Sequence, residues 1–132
     1  MMLPVTKTVQ INRNPMAVFA FLANGENWPK FAIHNIHSIL PGTEGDWVIE
    51  TPRGPGLLRL KTVASLGIVD HEFIDPQEGR WEVPARVVSA SGQAVFMMTL
   101  SKPERMSERD FQAGLTLVDE ELATLKRVLE AE

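Results

Sequence analysis

From Ser107 to Glu130 the chain carries one apolar stripe, in which Phe111, Leu115, Val118, Leu122, Leu125 and Leu129 recur at alternating steps of four and three residues. That spacing predicts a long amphipathic helix with a single buried face. Glu108, Arg109, Asp119, Glu120, Lys126, Arg127 and Glu130 fall on the opposite, solvated face. Ser107 occupies the N-cap position, with Asp110 three residues on as the acidic partner of a capping box. Glu108 and Asp110 suit the positive end of the helix dipole, and Lys126 and Arg127 the negative end. Such a helix spans about 35 Å. It cannot bury its stripe alone, so the preceding hundred or so residues must form a surface for it.

Those residues read as strands interrupted once by helix. Val5 to Ile11 alternates and is rich in β-branched residues, which predicts a strand. Asn14-Pro15 starts a helix, with Asn as cap and Pro in the first turn, and Asn24-Gly25 ends it. Met16, Val18, Phe19, Phe21 and Leu22 form its expected buried side. A second short helix or turn covers Asn27 to Phe31, with Pro29 near its start. Six further strands are predicted: Asn35 to Leu40, Asp46 to Thr51, Leu57 to Ala64, Ile68 to Ile74, Arg80 to Ser89 and Ala94 to Ser101. Pro41-Gly42, the run Pro52 to Gly56, Ser65 to Gly67, Asp75 to Gly79 and Ala90 to Gln93 supply the turns. Short connections favour an antiparallel meander. Pro84, inside the sixth strand, predicts a bulge or a position that donates no ladder bond. The expected architecture is α+β, a curved antiparallel sheet of about seven strands gripping a long C-terminal helix, with two short helices after the first strand.

A chain of 132 residues is one domain by size, able to bury roughly 68% of its unfolded surface. We therefore treat residues 1–132 as a single unit. With 44% hydrophobic and 23% charged residues the composition is that of a globular protein. The net charge of -4, with no basic run to offset it, argues against a nucleic-acid surface. The absence of cysteine excludes disulfides, thiolate metal sites and thiol nucleophiles. No apolar run approaches the ~20 residues of a membrane span. Met1-Met2-Leu3-Pro4 lacks the features of a secretory signal, so a cytoplasmic location is expected.

Alternation assigns the sheet's inner face. It takes Trp47, Ile49 and Thr51; Leu58, Leu60 and Thr62; Val69, His71 and Phe73; and Trp81, Val83, Ala85 and Val87. Asp46, Glu50, Arg59, Lys61, Asp70, Glu72, Glu82 and Arg86 fall outside. The last strand is apolar on both faces, and Val95, Met97 and Thr99 are assigned inward.

This order of elements, with the pieces Trp47-Val48-Ile49-Glu50-Thr51-Pro52, Val69-Asp70-His71 and Val83-Pro84-Ala85-Arg86-Val87-Val88 and the ending from Met106-Ser107 through Phe111 to Leu125-Lys126, resembles the START-like (SRPBCC, Bet v 1-like) superfamily. The subgroup it looks like is the polyketide cyclase/dehydrase-like one. The resemblance covers nearly the whole chain and implies a helix-grip fold. It also implies a small apolar or amphipathic molecule held between the sheet and the long helix, with no cofactor. Fold alone does not decide between binding and chemistry.

The residues expected around such a ligand are Trp28, Phe31, His34, Trp47, Ile49, Leu58, Leu60, His71, Phe73, Trp81, Met97, Phe111 and Leu115. Each has an alternative as ordinary core. His71, flanked by Val69 and Phe73 on the inner face, is either a polar anchor or acid/base group in an apolar cavity, or a buried histidine bonded to backbone. His34 is placed at the pocket mouth beside Trp28 and Phe31. His34 and His37 are three apart, but no third ligand accompanies them, so no metal site is assigned. No serine has a nucleophile-base setting, and the glycines match no phosphate loop.

Three functions remain in view: a carrier of a small apolar ligand, favoured because no catalytic constellation is apparent; a cyclase or dehydratase with His71 as acid/base; and a protein-interaction module of the co-chaperone kind. For the last, the outer-face residues Ile68, Phe96 and Ile74 suggest a homodimer surface.

Overall fold

The C-terminal helix forms as its periodicity requires. In the computed structural model, which describes residues 3–75 and 79–132, α2 runs Glu108–Glu130. The Ser107 side chain accepts the backbone N–H of Asp110 at its start. All six residues of the stripe are buried. Near the N-terminus, α1 covers Pro15–Ala23, capped by Asn14, whose side chain accepts from the N–H of Met16. A short 3-10 helix, Gly25–Lys30, follows. Asn24 links the two, because its side chain accepts from Glu26 N–H and so caps the second element. Within α1 only part of the expected buried side is buried: Val18, Phe21 and Leu22 are in the core, Phe19 is half-buried, and Met16 is 80% exposed. A nine-residue helix that faces the sheet along one edge leaves Met16, in its first turn, in solvent.

Among the described residues eight strands form one antiparallel sheet: β1 Val5–Ile11, β2 Ser38–Pro41, β3 Trp47–Thr51, β4 Gly54–Val63, β5 Ile68–Asp75, β6 Gly79–Val83, β7 Ala85–Ala90 and β8 Gln93–Leu100. Their order across the sheet is β1-β8-β7-β5-β4-β3-β2, with β6 also paired to β5. β1 therefore crosses from the start of the chain to lie against β8, Val5 opposite Leu100 and Ile11 opposite Ala94. Part of the expected turn after β5, Pro76 to Glu78, lies outside the described residues.

The count of eight rather than seven comes from Pro84. Arg80 to Ser89 is divided there into β6, which pairs with β5, and β7, which pairs mainly with β8. Proline has no N–H to donate, and the next amide, that of Ala85, is taken by the side chain of Asp70 at 2.9 Å instead of by a ladder carbonyl. The Pro84 carbonyl accepts from Thr99 N–H at 2.9 Å, which carries the strand into its new pairing.

A strand boundary and a strand face differ from expectation. β2 starts at Ser38 and not Asn35, because Ala32 O accepts from both Asn35 N–H and Ile36 N–H, and sheet pairing begins only where His37 N–H meets Glu50 O. Along β8 the buried residues are Ala94, Phe96 and Leu100, with Met98 packed against the core. Met97 and Thr99 therefore face outward, beside Ile68 and Arg86. The register with β1 and β7 decides this phase, and a strand apolar on both faces does not encode it. Phe96, 1% exposed, is thereby core and contributes nothing to an outer surface.

On the outer face, Arg59 holds Asp46 through two bonds of 2.9 Å. Glu72 is covered by Lys61 and Arg80, with Arg59 3.8 Å away. Those cations hold its carboxyl below the usual range, the Lys61 hydrogen bond contributing most.

Candidate functional site

The concave face of the sheet and α2 do not close completely. Between them lies a cavity of about 50 Å³, enough for a few water molecules. Its floor is the inner face of the sheet, with Ile49 and Thr51 of β3, Phe73 of β5, Trp81 and Val83 of β6, and Phe96, Met98 and Leu100 of β8. Its roof is Val118, Glu121 and Leu122 of α2. One side is closed by Trp28, Phe31, Ala32 and Asn35, from the 3-10 turn and the segment after it. Arg53, Ile74 and Asp75 complete the lining.

The aromatic side wall has local causes. Trp28 and Phe31, three apart across the end of the 3-10 turn, lie with ring centroids 5.1 Å apart. The Trp28 indole N–H donates to Leu22 O at 2.9 Å, which ties the turn to the end of α1. Trp81 is anchored at the opposite side, its indole N–H donating to Ser101 O at 2.7 Å. Its ring edge reaches Gly114 of α2, where a methyl would sit 4.0 Å from Cη2.

Two polar features interrupt the apolar wall. Glu121 lies in the roof, 6% exposed. Its Oε2 accepts the backbone N–H of His34 at 2.9 Å, and both oxygens lie 3.3 Å from the Asn35 amide nitrogen. Burial pushes this carboxyl above its ordinary value, against the opposing pull of those donors and of the nearby His34 ring. On the sheet side Arg53 Nε donates to Asp75 Oδ2 at 2.6 Å, and Asp75 is the buried partner. Thr51 Oγ1 accepts Arg53 N–H and donates to Gly54 O, which holds the β3–β4 turn that carries Arg53.

Of the residues expected from sequence, the structure places Trp28, Phe31, Ile49, Phe73 and Trp81 on the cavity wall. Leu58, Phe111 and Leu115 are buried and Leu60 is packed against the core, all off that wall. Trp47 lies over Gly25, where its ring leaves no room for a Cβ. Met97 is on the other side of the sheet. His34 contributes its backbone to Glu121, while its ring turns to Glu120, Nε2 to Oε1 3.3 Å.

His71 points inward as alternation requires, yet it does not reach the cavity. It is 1% exposed, and Nδ1 donates to Val69 O at 2.9 Å. The ring packs edge-on against Trp28, at 4.7 Å, and against Phe73, at 5.7 Å. Among the described residues Nε2 has no hydrogen-bond partner. Desolvation lowers its pKa to about 4, so the ring is neutral near neutral pH. This is a core histidine behind the aromatic wall.

Among the cavity residues not expected as ligand contacts are Glu121, Asn35, Arg53, Asp75, Phe96 and Met98. Glu121 had a signal: it lies three residues after Val118 and four before Leu125, within the apolar stripe. Arg53 and Asp75 had none, because they come from a turn and a strand end 22 residues apart.

No protein-family model and no curated protein sequence matches this chain. Solved structures do. The chain is similar to the protein XoxI from Bacillus cereus, at 14% identity and TM-score 0.78, covering 97% of this chain and 96% of that one. It is similar to the Aha1 dimer from Colwellia psychrerythraea, at 15% identity and TM-score 0.73, covering 98% and 97%. It is also similar to Ara h 8.0201, at 12% identity and TM-score 0.72, covering 98% and 99%. The protein has the Bet v 1-like, START-like helix-grip fold. Among the described residues no helix is long and apolar enough to cross a membrane.

Proposed function

We propose that this protein binds a small, predominantly apolar molecule in the space between the sheet and α2. The observation that carries the reading is the cavity itself, with apolar walls interrupted by the buried Glu121 and the Arg53–Asp75 pair. Few, well-placed polar groups in an apolar pocket are what orient a bound molecule. The START-like resemblance implies the same use of this space. At about 50 Å³ the cavity admits only a small guest unless its wall moves. Met98, unbranched and flexible, is the side chain best able to give way.

An acid/base role for His71 draws no support from this arrangement, since the ring lies off the cavity wall. Polyketide cyclisation therefore has no group assigned to it.

Native mass spectrometry of protein purified from its own host, compared with a denatured spectrum, tests the proposal. A reproducible extra mass that disappears on denaturation is expected. No extra mass, together with no change in the indole resonances of Trp28 and Trp81 across a panel of small amphipathic compounds, would show a core that is merely imperfectly packed.

A second reading has its own observation. Met16, 80% exposed, and Leu66, 57% exposed, flank a shallow groove with Phe19 and Val87, between α1 and the turn before β5. Apolar residues so grouped suit a protein contact, and the Colwellia neighbour is described as a dimer. Light scattering coupled to size exclusion distinguishes a monomer from a dimer.

A further inference from the structure

Glu121 is the one carboxylate of α2 that the fold turns into the cavity roof. Its hydrogen-bond donors are neutral: the His34 backbone N–H and the Asn35 amide. Among the described residues no lysine or arginine forms an ion pair with it, and the nearby His34 ring has its Nε2 3.3 Å from Glu120 Oε1 without a hydrogen bond. The other charged groups on the wall, Arg53 and Asp75, are bonded to each other at 2.6 Å. Glu121 is therefore a buried carboxylate held chiefly by neutral dipoles, with no lysine or arginine paired to it among the described residues. Burying an ion this way is costly, and an opposite charge brought to it in a low-dielectric space recovers part of that cost.

Resting on the reading that the cavity binds a small molecule, we propose that its ligand is a small organic cation: an amine whose ammonium group pairs with Glu121 and whose hydrocarbon part lies against Phe73, Trp81 and Met98. The three classes of guest separate on physical grounds. An anion placed in the cavity meets Glu121 with little solvent between them and is repelled. A neutral alcohol can donate one hydrogen bond but leaves the charge unmatched. An ammonium group supplies both the donor and the opposite charge, so the Coulomb attraction of a low-dielectric space is added to the hydrogen bond. Trp28 and Trp81 also line the cavity, and aromatic rings attract a cation that lies over them. Asn35 and the His34 N–H hold the carboxylate in place before the ligand arrives, so little ordering is needed on binding.

Benzylamine, benzyl alcohol and benzoate share one hydrocarbon frame and differ in the polar group; butylamine, butanol and butyrate repeat the series at smaller size. Each is titrated near neutral pH into the wild-type protein and into Glu121→Gln, followed by calorimetry and by the amide spectrum. The expected result is binding of at least one amine roughly tenfold tighter than its alcohol, with no binding of the carboxylates. In Glu121→Gln that preference collapses, the amine losing far more affinity than the alcohol. An alcohol that binds as tightly as its amine, or an amine preference that survives in Glu121→Gln, overturns the inference and leaves the apolar binding cavity standing. If no member of either series binds, the inference falls and the cavity reading falls with it at this size of guest. Should Glu121→Gln fail to fold, the comparison of amine with alcohol in the wild-type protein still decides.

Discussion

The indole of Trp28 stands edge-on to the imidazole of His71, ring centroids 4.7 Å apart and planes inclined by 69°. Trp28 faces the cavity, and His71 is sealed behind it. The contact separates the space available to a ligand from the titratable group that the sequence made most conspicuous. It turns His71 into a determinant of acid stability.

The folded protein holds His71 neutral down to a pKa of about 4, whereas the unfolded chain takes up a proton near the ordinary value of 6.5. The stability this contributes is fully present above 6.5 and is lost as pH falls through about 4. The loss across that window is about 3 kcal/mol. Urea unfolding across this range is expected to show it, and His71→Gln is expected to flatten that limb. An unchanged slope in the variant would assign the acid limb to other groups.

Glu121 has the opposite sign. Its carboxyl is raised in the folded state, chiefly by burial. The stability associated with its protonated form is fully present below the ordinary value of 4.5 and is lost as pH rises through the raised one. Glu121→Gln keeps an oxygen for the His34 N–H and carries no charge, so it is expected to be more stable than wild type at neutral pH. That advantage disappears below the ordinary carboxyl range. Paired urea midpoints at neutral and acid pH measure the crossover.

Asp70 fills the gap that Pro84 opens in the sheet. Asp70→Ala leaves the Ala85 N–H without its acceptor and is expected to cost about 1–2 kcal/mol. Asp70→Asn, which retains Oδ1, recovers most of it. Faster hydrogen exchange at Ala85 in the alanine variant alone would locate the effect at this bond.

Two glycines should respond oppositely to the same methyl group. Gly67 has φ +66°, and an added Cβ would overlap the carbonyl oxygen of Val87. Val87 N–H also bonds Gly67 O at 2.8 Å, so the two backbones cannot separate freely. Gly67→Ala is expected to destabilise by about 2 kcal/mol or more. Gly114 lies inside α2 with its nearest neighbour, Trp81, at ordinary contact distance. Gly114→Ala is expected to stabilise by roughly 0.5–1 kcal/mol, the usual gain in a helix interior. Thermal melts of the two variants provide the check.

Much of the fold was legible in the sequence because it rests on local periodicity. The stripe from Phe111 to Leu129 specifies α2, Asn14-Pro15 specifies the start of α1, and alternation through Val69, His71 and Phe73 specifies which side of β5 is buried. Pro84 announced its own interruption. Where periodicity is silent the sequence misleads: β8 is apolar on both faces, and Met98, not the expected Met97, faces inward. The same ambiguity put Phe96 on the outside.

The spacing of apolar residues along the chain specifies which layers form, because burying those faces is what stabilises them. What lines the space between the layers follows from packing between distant segments. His71 and Glu121 are both polar residues on inward-facing positions, and nothing local distinguishes them. Packing of Trp28 over the first and a turn at His34 and Asn35 beneath the second sealed one into the core and left the other facing the cavity. Those outcomes depend on contacts across 43 and 87 residues of chain, a range over which periodicity carries no information.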